Sequence, residues 1–593
     1  MKQSFDVIIV GSGAAAFSTA DWLVRYGIED ICIFTENINY GTSRNTGSDK
    51  QTYYKLDTDS PAGDSIGKMA SDLFSGGAMN GYHALCEAAG SVRCFMRLVE
   101  LGVPFPSDEF GRYPGYKTDH DSSARATSAG PLTSKYMTEK LEKKVKKNNT
   151  CIADGYQLIK LITKKDVCRG AVFLHENKTS FFSSKAVILC TGAPAWIYAD
   201  RVYPVSQCGA TGVAIEAGAS LSNFQEWQFG IASVSFRWNL SGSYQQVIPR
   251  YFSVDEDGRE YDFLSEAIET ERLFGLIFLK GYQWPFDSKK LPGSSEIDIL
   301  VYKEHLKRRR VFIDYRREPS GFSFEALPKE AYDYLEKTDC LCELPIERLK
   351  KLNPKAIKLY QDNGIDLSLE PLEIGVCAQH NNGGLTVDEH YETTVKNLFA
   401  AGEAAGVFGV YRPGGSALND TQVSGLFIAK YLSGKIKEIS ISIPEFDLPK
   451  IPLLSKISNL KQLRDNTSSM MSECAGIVRN VEMIKELLPR LECLLADFSS
   501  KVKIADACET EDYFRFYQTL FSQIALCRTL LFSAENFGSS GSAVYFENGM
   551  LLQSKNNRAD NITITAKDKV YNLPVAPVPE KEIVFEKLLN KQN

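Results

Sequence analysis

No CxxC spacing occurs anywhere in the 593 residues, although there are 14 cysteines. They are scattered through apolar stretches, as at Cys32, Cys86, Cys190 and Cys527, with Cys340 and Cys342 the one close pair. That pattern argues against an iron–sulfur or zinc site in the chain itself and reads as buried free thiols in a reducing compartment. Metal-ligand spacing is also missing among the six histidines, at positions 83, 120, 175, 305, 380 and 390, so no metal is expected. Nor is there an excess of positive charge: 68 Lys and Arg against 74 Asp and Glu leave a net charge of -6. This excludes nucleic acid and anionic membranes as expected partners. Local basic clusters at 143–147 and 308–310 read as solvated helix faces. No apolar run is long enough to span a bilayer, so no integral membrane segment is expected. A strand beginning close to Met1 leaves no room for a signal peptide, and the expectation is a cytoplasmic protein.

What is present begins at the N-terminus. Phe5-Asp6-Val7-Ile8-Ile9-Val10 reads as a strand and runs into Gly11-Ser12-Gly13-Ala14-Ala15-Ala16. A helix over 17–26 and a second strand over 30–34, ending at Thr35-Glu36, complete a dinucleotide-binding βαβ unit. Gly11 permits the tight turn, Gly13 lets the backbone approach a pyrophosphate, and Ala16 is small enough for helix to pack on strand. Two later segments repeat the strand-then-glycine texture. Lys185–Cys190 leads into Thr191-Gly192-Ala193, and Asn397–Ala401 leads into Gly402-Glu403-Ala404-Ala405-Gly406. Between them, roughly 228–370 is rich in aromatics and carries a turn at Asp255-Glu256-Asp257-Gly258, as expected of a domain inserted within the nucleotide domain. Beyond about 440, Ile477, Val481, Ile484, Leu488 and Leu491, then Phe516, Leu520, Ile524, Cys527 and Leu531, recur at helical spacing. Pro489 is expected to kink or end the first of these helices. The segment after Asn556 is polar and proline-bearing and reads as an extended strap.

Three ordered motifs carry more information than the opening glycines. They are Gln379-His380-Asn381-Asn382-Gly383-Gly384-Leu385, then Leu398-Phe399-Ala400-Ala401-Gly402-Glu403-Ala404, then Arg412-Pro413-Gly414-Gly415-Ser416-Ala417-Leu418. With the N-terminal turn they resemble the flavoprotein family of fumarate reductase and succinate dehydrogenase, which also holds L-aspartate oxidase and the flavin subunit of adenylylsulfate reductase. The resemblance covers nearly the whole chain. It implies an α/β fold: a Rossmann-like FAD-binding domain over 1–227 and 371–440, an inserted α+β capping domain over 228–370, a C-terminal helical domain over 441–555 and an extended tail over 556–593.

The resemblance also implies FAD as cofactor. Backbone amides at Ser416, Ala417 and Leu418 would meet the N1/O2 edge of the flavin ring, where negative charge collects on reduction. Glu403 would accept from the ribityl hydroxyls, and Thr35 or Glu36 would meet the adenosine ribose. Gly11, Gly13, Ala14, Ala15, Ser43, Thr191, Gly192 and Gly402 complete the expected cofactor contacts. Where respiratory members carry a flavin-linking histidine, the matching 42–48 region (Thr42-Ser43-Arg44-Asn45-Thr46-Gly47-Ser48) has none, so FAD is expected to be non-covalent.

The family's dicarboxylate site is matched only in part. The family's Gln-Phe-His-Pro-Thr resembles Gln228-Phe229-Gly230-Ile231-Ala232, with Gly230 at the histidine. The second site histidine falls on Gln379, and the capping-domain arginine falls on Tyr302; Arg412, matching the substrate-carboxylate arginine, is retained. Fumarate, succinate and aspartate are therefore not the expected substrates, because a second carboxylate would lack its partners. Gly230 and Gln379 are expected to leave a larger, less charged cavity for a bulkier substrate with one acidic or electron-withdrawing group.

The chemistry so implied is FAD-dependent oxidoreduction. The leading expectation is reduction of an activated C=C bond, an enoate or enone, by hydride transfer from flavin N5. Arg412 would anchor the activating group, and Tyr302, His380 or Tyr411 would donate the proton. No second GxGxxG is present for a nicotinamide, so electrons are expected from a partner such as ferredoxin, flavodoxin or an iron–sulfur subunit. The alternatives are a dehydrogenase or oxidase of an amino or hydroxy acid, or a flavoprotein that works only as one part of a larger electron-transfer complex.

Overall fold

A computed structural model of the protein describes residues 2–59, 63–555, 560–565, 568–581 and 584–590. The strand Ser4–Val10 lies inside a seven-stranded sheet, with Val7, Ile8 and Ile9 fully buried, as a near-continuous apolar run requires of a strand covered on both faces. It pairs in parallel with Ile31–Thr35 on one side and Lys178–Leu189 on the other. The far half of Lys178–Leu189 pairs in parallel with Leu398–Ala400, and its near half turns antiparallel to Val167–His175. Residues nearly 400 apart in sequence thus end at one carboxyl edge of one sheet, which is where a doubly wound fold places its ligand. The helix Ala14–Arg25 follows the first strand directly.

A second, wholly antiparallel sheet runs in the order Trp238–Asn239, Trp227–Ser233, Leu372–Asn381, Arg310–Asp314, Arg250–Val254, Glu260–Tyr261. Its ten-residue strand Leu372–Asn381 begins just past residue 370, so segments on both sides of that position share one sheet. The same strand stays paired to its end, His380 with Gln228 and Asn381 with Trp227, after a register shift between Gln228 and Phe229, and its last residues Gln379 and His380 line the cleft described below. Lys280 and Asp298, both fully buried, are joined at 2.7 Å, and the Lys280 ammonium also donates to the carbonyls of Gln283 and Trp284. The pair thereby fixes the loop that carries Trp284.

The C-terminal region forms the helices Leu460–Ala475, Val481–Ala496 and Thr510–Asn536. Val481–Ala496 runs on through Pro489 rather than ending there. Proline removes the donor that would meet the carbonyl of Lys485, and Lys485 lies on the exposed side, where water replaces it. In the tail, Asn561–Ile564 and Val570–Leu573 form a hairpin paired to Leu221–Ser222, and the carbonyl of Ala576 accepts from Gly81 N–H at 2.8 Å. The strap expected there is in part sheet; positions 556–559, 566–567, 582–583 and 591–593 lie outside the described residues.

A buried carboxyl pair ties the helix Gly81–Glu100 to the helix Ser416–Lys435. Burial and Asp420 push the Glu87 carboxyl well up, so Glu87 keeps its proton, while burial raises Asp420 to about 6. Asn419 donates to Glu87 at 2.6 Å, and Tyr53 donates to Asn419 at 3.0 Å. Both carboxyls bind protons more tightly folded than unfolded, so the stability they contribute is full below their ordinary values and is lost as pH rises through the folded ones. Glu87→Gln keeps the donor toward Asp420 without an ionisable group. It should leave the decline between 3.8 and about 6, which belongs to Asp420, and remove the further decline at higher pH that Glu87 adds in the wild-type protein; thermal unfolding of both across pH measures this.

Candidate functional site

Gly11 adopts φ +115°, and a Cβ there would come within 2.5 Å of the Cys190 carbonyl oxygen. Only glycine fits this crossing of two strand ends. The helix that follows has Gly13 as N-cap and no capping side chain; Ser43 Oγ accepts from the Ala14 N–H at 3.2 Å. Ser12 and Thr35 hydroxyls meet at 2.9 Å and bind the turn to the end of the second strand. An uncapped helix N-terminus facing a cleft is a site for phosphate.

That cleft is lined by Gly11, Gly13, Ala14, Ala15, Thr35, Glu36, Ser43, Thr191, Gly192, Glu403, Ala417 and Leu418, together with Gln379 and His380. Of the expected cofactor residues, Gly402 and Ser416 stand just behind this surface. Gly402 N–H donates to Ser424 Oγ at 3.1 Å, and Ser416 Oγ donates to the Pro413 carbonyl at 2.8 Å. At the far end the helix Ser416–Lys435 is also uncapped, with Gly415 at φ +92° as N-cap. Ser416 and Leu418 N–H groups close the turn onto Pro413 and Gly415, whereas Ala417 N–H takes no part in it. A second helix N-terminus, through Ala417 and Leu418, therefore also lines the cleft.

The two acidic residues are differently employed. Glu36 is held by Arg515 of the C-terminal helix, at 2.6 Å from Nη2 and 3.1 Å from Nε. Burial raises the Glu36 carboxyl and Arg515 opposes that rise. Arg515 is a partner of the lining residue Glu36 that sequence reading missed, because nothing local links positions 479 residues apart. Glu403 is surrounded by donors: Tyr203 hydroxyl at 2.5 Å, His380 Nδ1 at 2.9 Å and Asn381 N–H at 3.1 Å, all on Oε1. Among the described residues its Oε2 accepts only from Ala193 N–H, at 3.4 Å. Burial alone would raise this carboxyl, but His380, Tyr203 and Asn381 hold it below the usual range. Tyr203 carried no sequence signal.

Arg412 lies beyond Glu403 at the junction with the second sheet. Its Nη2 donates to Gln228 Oε1 at 2.8 Å and its Nε to Asn382 Oδ1 at 3.0 Å. Longer contacts reach Ser416 Oγ and the Pro413 carbonyl, and the guanidinium faces the Phe408 ring at 5.7 Å. These partners are all neutral. Burial pulls the guanidinium down to about 10, which leaves it charged at neutral pH.

The proton-donor candidates part company. His380 is in the cleft with Glu403. Tyr411, next to Arg412 in sequence, lines a separate cleft with His120 and Pro413, its hydroxyl donating to Asp287 at 3.2 Å while Lys289 lies 4.4 Å above its ring. Tyr302 is elsewhere: its hydroxyl donates to the Glu473 carbonyl at 2.9 Å, in a different cleft with Tyr198, His305 and Glu473. The roomier cavity expected at Gly230 is not formed. A Cβ on Gly230 would come within 2.4 Å of Gln379 Nε2 and 3.2 Å of the Trp284 ring, so these side chains fill the space the glycine leaves.

The donor set fits a flavin dinucleotide. Two helix N-termini line one cleft, and Gln379 and His380, also among its lining residues, each hold a buried Nε2 without a protein partner among the described residues. Buried polar atoms without partners are costly unless a ligand meets them. Fold and cleft together define an FAD-dependent oxidoreductase. A family model described as an FAD binding domain matches residues 6–418, and the chain belongs to this family, which fumarate reductase and succinate dehydrogenase flavoproteins share. The chain is 24% identical over 553 residues to an uncharacterized FAD-dependent oxidoreductase of Methanocaldococcus jannaschii, covering 90% of this chain and 92% of that one. It is 25% identical over 510 residues to one of the subunits of the CoM/CoB fumarate reductase of Methanothermobacter marburgensis, covering 83% and 84%. Its fold matches E. coli quinol fumarate reductase FrdA with TM-score 0.71 at 16% identity, covering 98% of this chain and 97% of that one.

Gly11→Val should abolish FAD retention, because the added side chain meets the Cys190 carbonyl in the pyrophosphate turn. The purified variant is expected to be colourless and to stay so after incubation with FAD, measured by flavin absorbance against the yellow wild type.

Proposed function

We propose that the protein binds FAD non-covalently and reduces an activated C=C bond in a substrate carrying one acidic or electron-withdrawing group. The observation that carries this reading is Arg412: a half-buried, charged guanidinium whose hydrogen-bond partners are all neutral, the Glu403 carboxylate acting on it only through space. Such a charge is stabilised by an anion or a strongly polarised oxygen, and an enoate carboxylate or enone oxygen supplies one. The bound flavin supplies two-electron transfer to the substrate carbon.

The remaining steps belong to the chain. Arg412 holds the activating group and draws electron density toward it, which makes the β-carbon electrophilic. Tyr411, next in sequence and protonated because burial and Asp287 raise its hydroxyl, gives the α-carbon its proton. Gln379 and Trp284 fill the position over Gly230 without a cation, so a second carboxylate on the substrate would find no ion-pair partner there. That argues against fumarate, succinate and aspartate. The methanogen relative, named as one of several subunits, supports electron delivery by a partner protein, an iron–sulfur protein, ferredoxin or flavodoxin, over delivery by a bound nicotinamide.

Arg412→Ala should lower turnover of the natural substrate class by at least about 100-fold while FAD remains bound, the size expected for losing a charge-assisted contact made in the transition state. Stopped-flow reoxidation of the reduced protein by a panel of enoates and enones reads the effect. Reoxidation unchanged in the variant would overturn the role of Arg412.

A further inference from the structure

The carboxylate that resemblance assigns to the cofactor's ribityl chain is turned instead toward a histidine. Glu403 Oε1 accepts from His380 Nδ1 at 2.9 Å, from Tyr203 hydroxyl at 2.5 Å and from Asn381 N–H at 3.1 Å. An ionised carboxylate can only accept, so Nδ1 carries the imidazole proton. The proton-free Nε2 is buried in the wall of the flavin cleft and has no partner among the described residues.

Resting on the reading of this cleft as a flavin site, we propose that the Glu403–His380 pair takes up one proton, at His380 Nε2, each time the bound flavin gains two electrons. Three groups act on His380. Arg412 opposes a second proton, Glu403 favours it, and Tyr203 reaches it through Glu403. Burial and Arg412 keep the imidazole neutral while the flavin is oxidised and uncharged. Reduction places negative charge in the cleft that His380 lines, and this favours the imidazolium. The electrons come from the added reductant, the proton comes from solvent, and no protein bond breaks. Glu403 acts here as a positioning residue: it fixes the tautomer and balances the charge once Nε2 is protonated.

The test is a spectroelectrochemical titration of the holoprotein from neutral to mildly alkaline pH, using wild type, His380→Gln and Glu403→Gln. For a two-electron couple, each proton taken up adds about 30 mV per pH unit to the slope of the midpoint potential. Both variants should lose one such increment relative to wild type. A second readout uses wild type alone: the ring nitrogens of His380, labelled with nitrogen-15 and assigned by the His380→Gln spectrum, should move from neutral to imidazolium shifts on reduction. Equal slopes in wild type and His380→Gln, or a neutral His380 in the reduced protein, would overturn the inference. If Glu403→Gln fails to hold flavin, His380→Gln and the wild-type spectrum still decide it. A wild-type protein that takes up no FAD sinks the reading of the cleft; one that binds and reduces FAD without the extra proton sinks only the pair.

Discussion

Burial of the Glu403 carboxylate is the constraint on which the centre of this protein turns. An ionised carboxylate removed from water must be met by donors from several directions or it takes up a proton. The donors come from separate parts of the chain: Tyr203 from the segment before the second sheet, His380 and Asn381 from the end of its longest strand, and Ala193 from the turn after Lys178–Leu189. Satisfying one charge therefore fixes three segments against the loop that follows Leu398–Ala400. The second sheet is docked to the first where its strand Leu372–Asn381 delivers those residues.

The same physics operates at the cleft's other end with a different outcome. Glu36 closes the second strand where a ribose would be met, and Arg515, from a helix far along the chain, holds its Oε2 with two guanidinium donors. The C-terminal helices are thus part of the wall of the nucleotide cleft. In the second sheet, the buried Lys280–Asp298 pair holds the carbonyls that position Trp284, and Trp284 with Gln379 fills the space above Gly230. Each of these charges is answered by a partner from another element, and those answers set the shape of the site.

Local chemistry made the first layer of this legible. The strand over 5–10, the turn at Gly11 and Gly13, and the glycine-bearing ends at Thr191 and Gly402 announce themselves by residue type and spacing, and they converge on one sheet edge. Cleft residues such as Ala417 and Leu418 were visible because they sit in a motif. Tyr203 and Arg515 were not, since each acts through a contact with no sequence-local signature. Tyr302 was misdirected for a related reason: spacing can place a residue on a helix but cannot say which neighbouring element its hydroxyl will meet, and it meets Glu473. At Gly230 the error was to treat a missing side chain as empty space. Interiors pack to crystal-like density, so a position without a side chain is a place for neighbours to enter.

The distribution of charge across the site follows from these placements. Arg412 and His380 are both half-buried, and the Arg412 charge disfavours a second one on His380. Two cations that close cannot both persist in an interior without anions, and Glu403, a carboxylate that acts on both, lies against His380. Arg412, left with amides, a hydroxyl, a carbonyl and a ring, keeps its charge because a guanidinium holds its proton far more tightly than an imidazole does. The imidazole is therefore the group that yields, staying neutral until negative charge arrives in the cleft. A single carboxylate shared between one permanent and one conditional cation separates their tasks: Arg412 holds an anion, and His380 answers to the charge state of whatever occupies the cleft beside it.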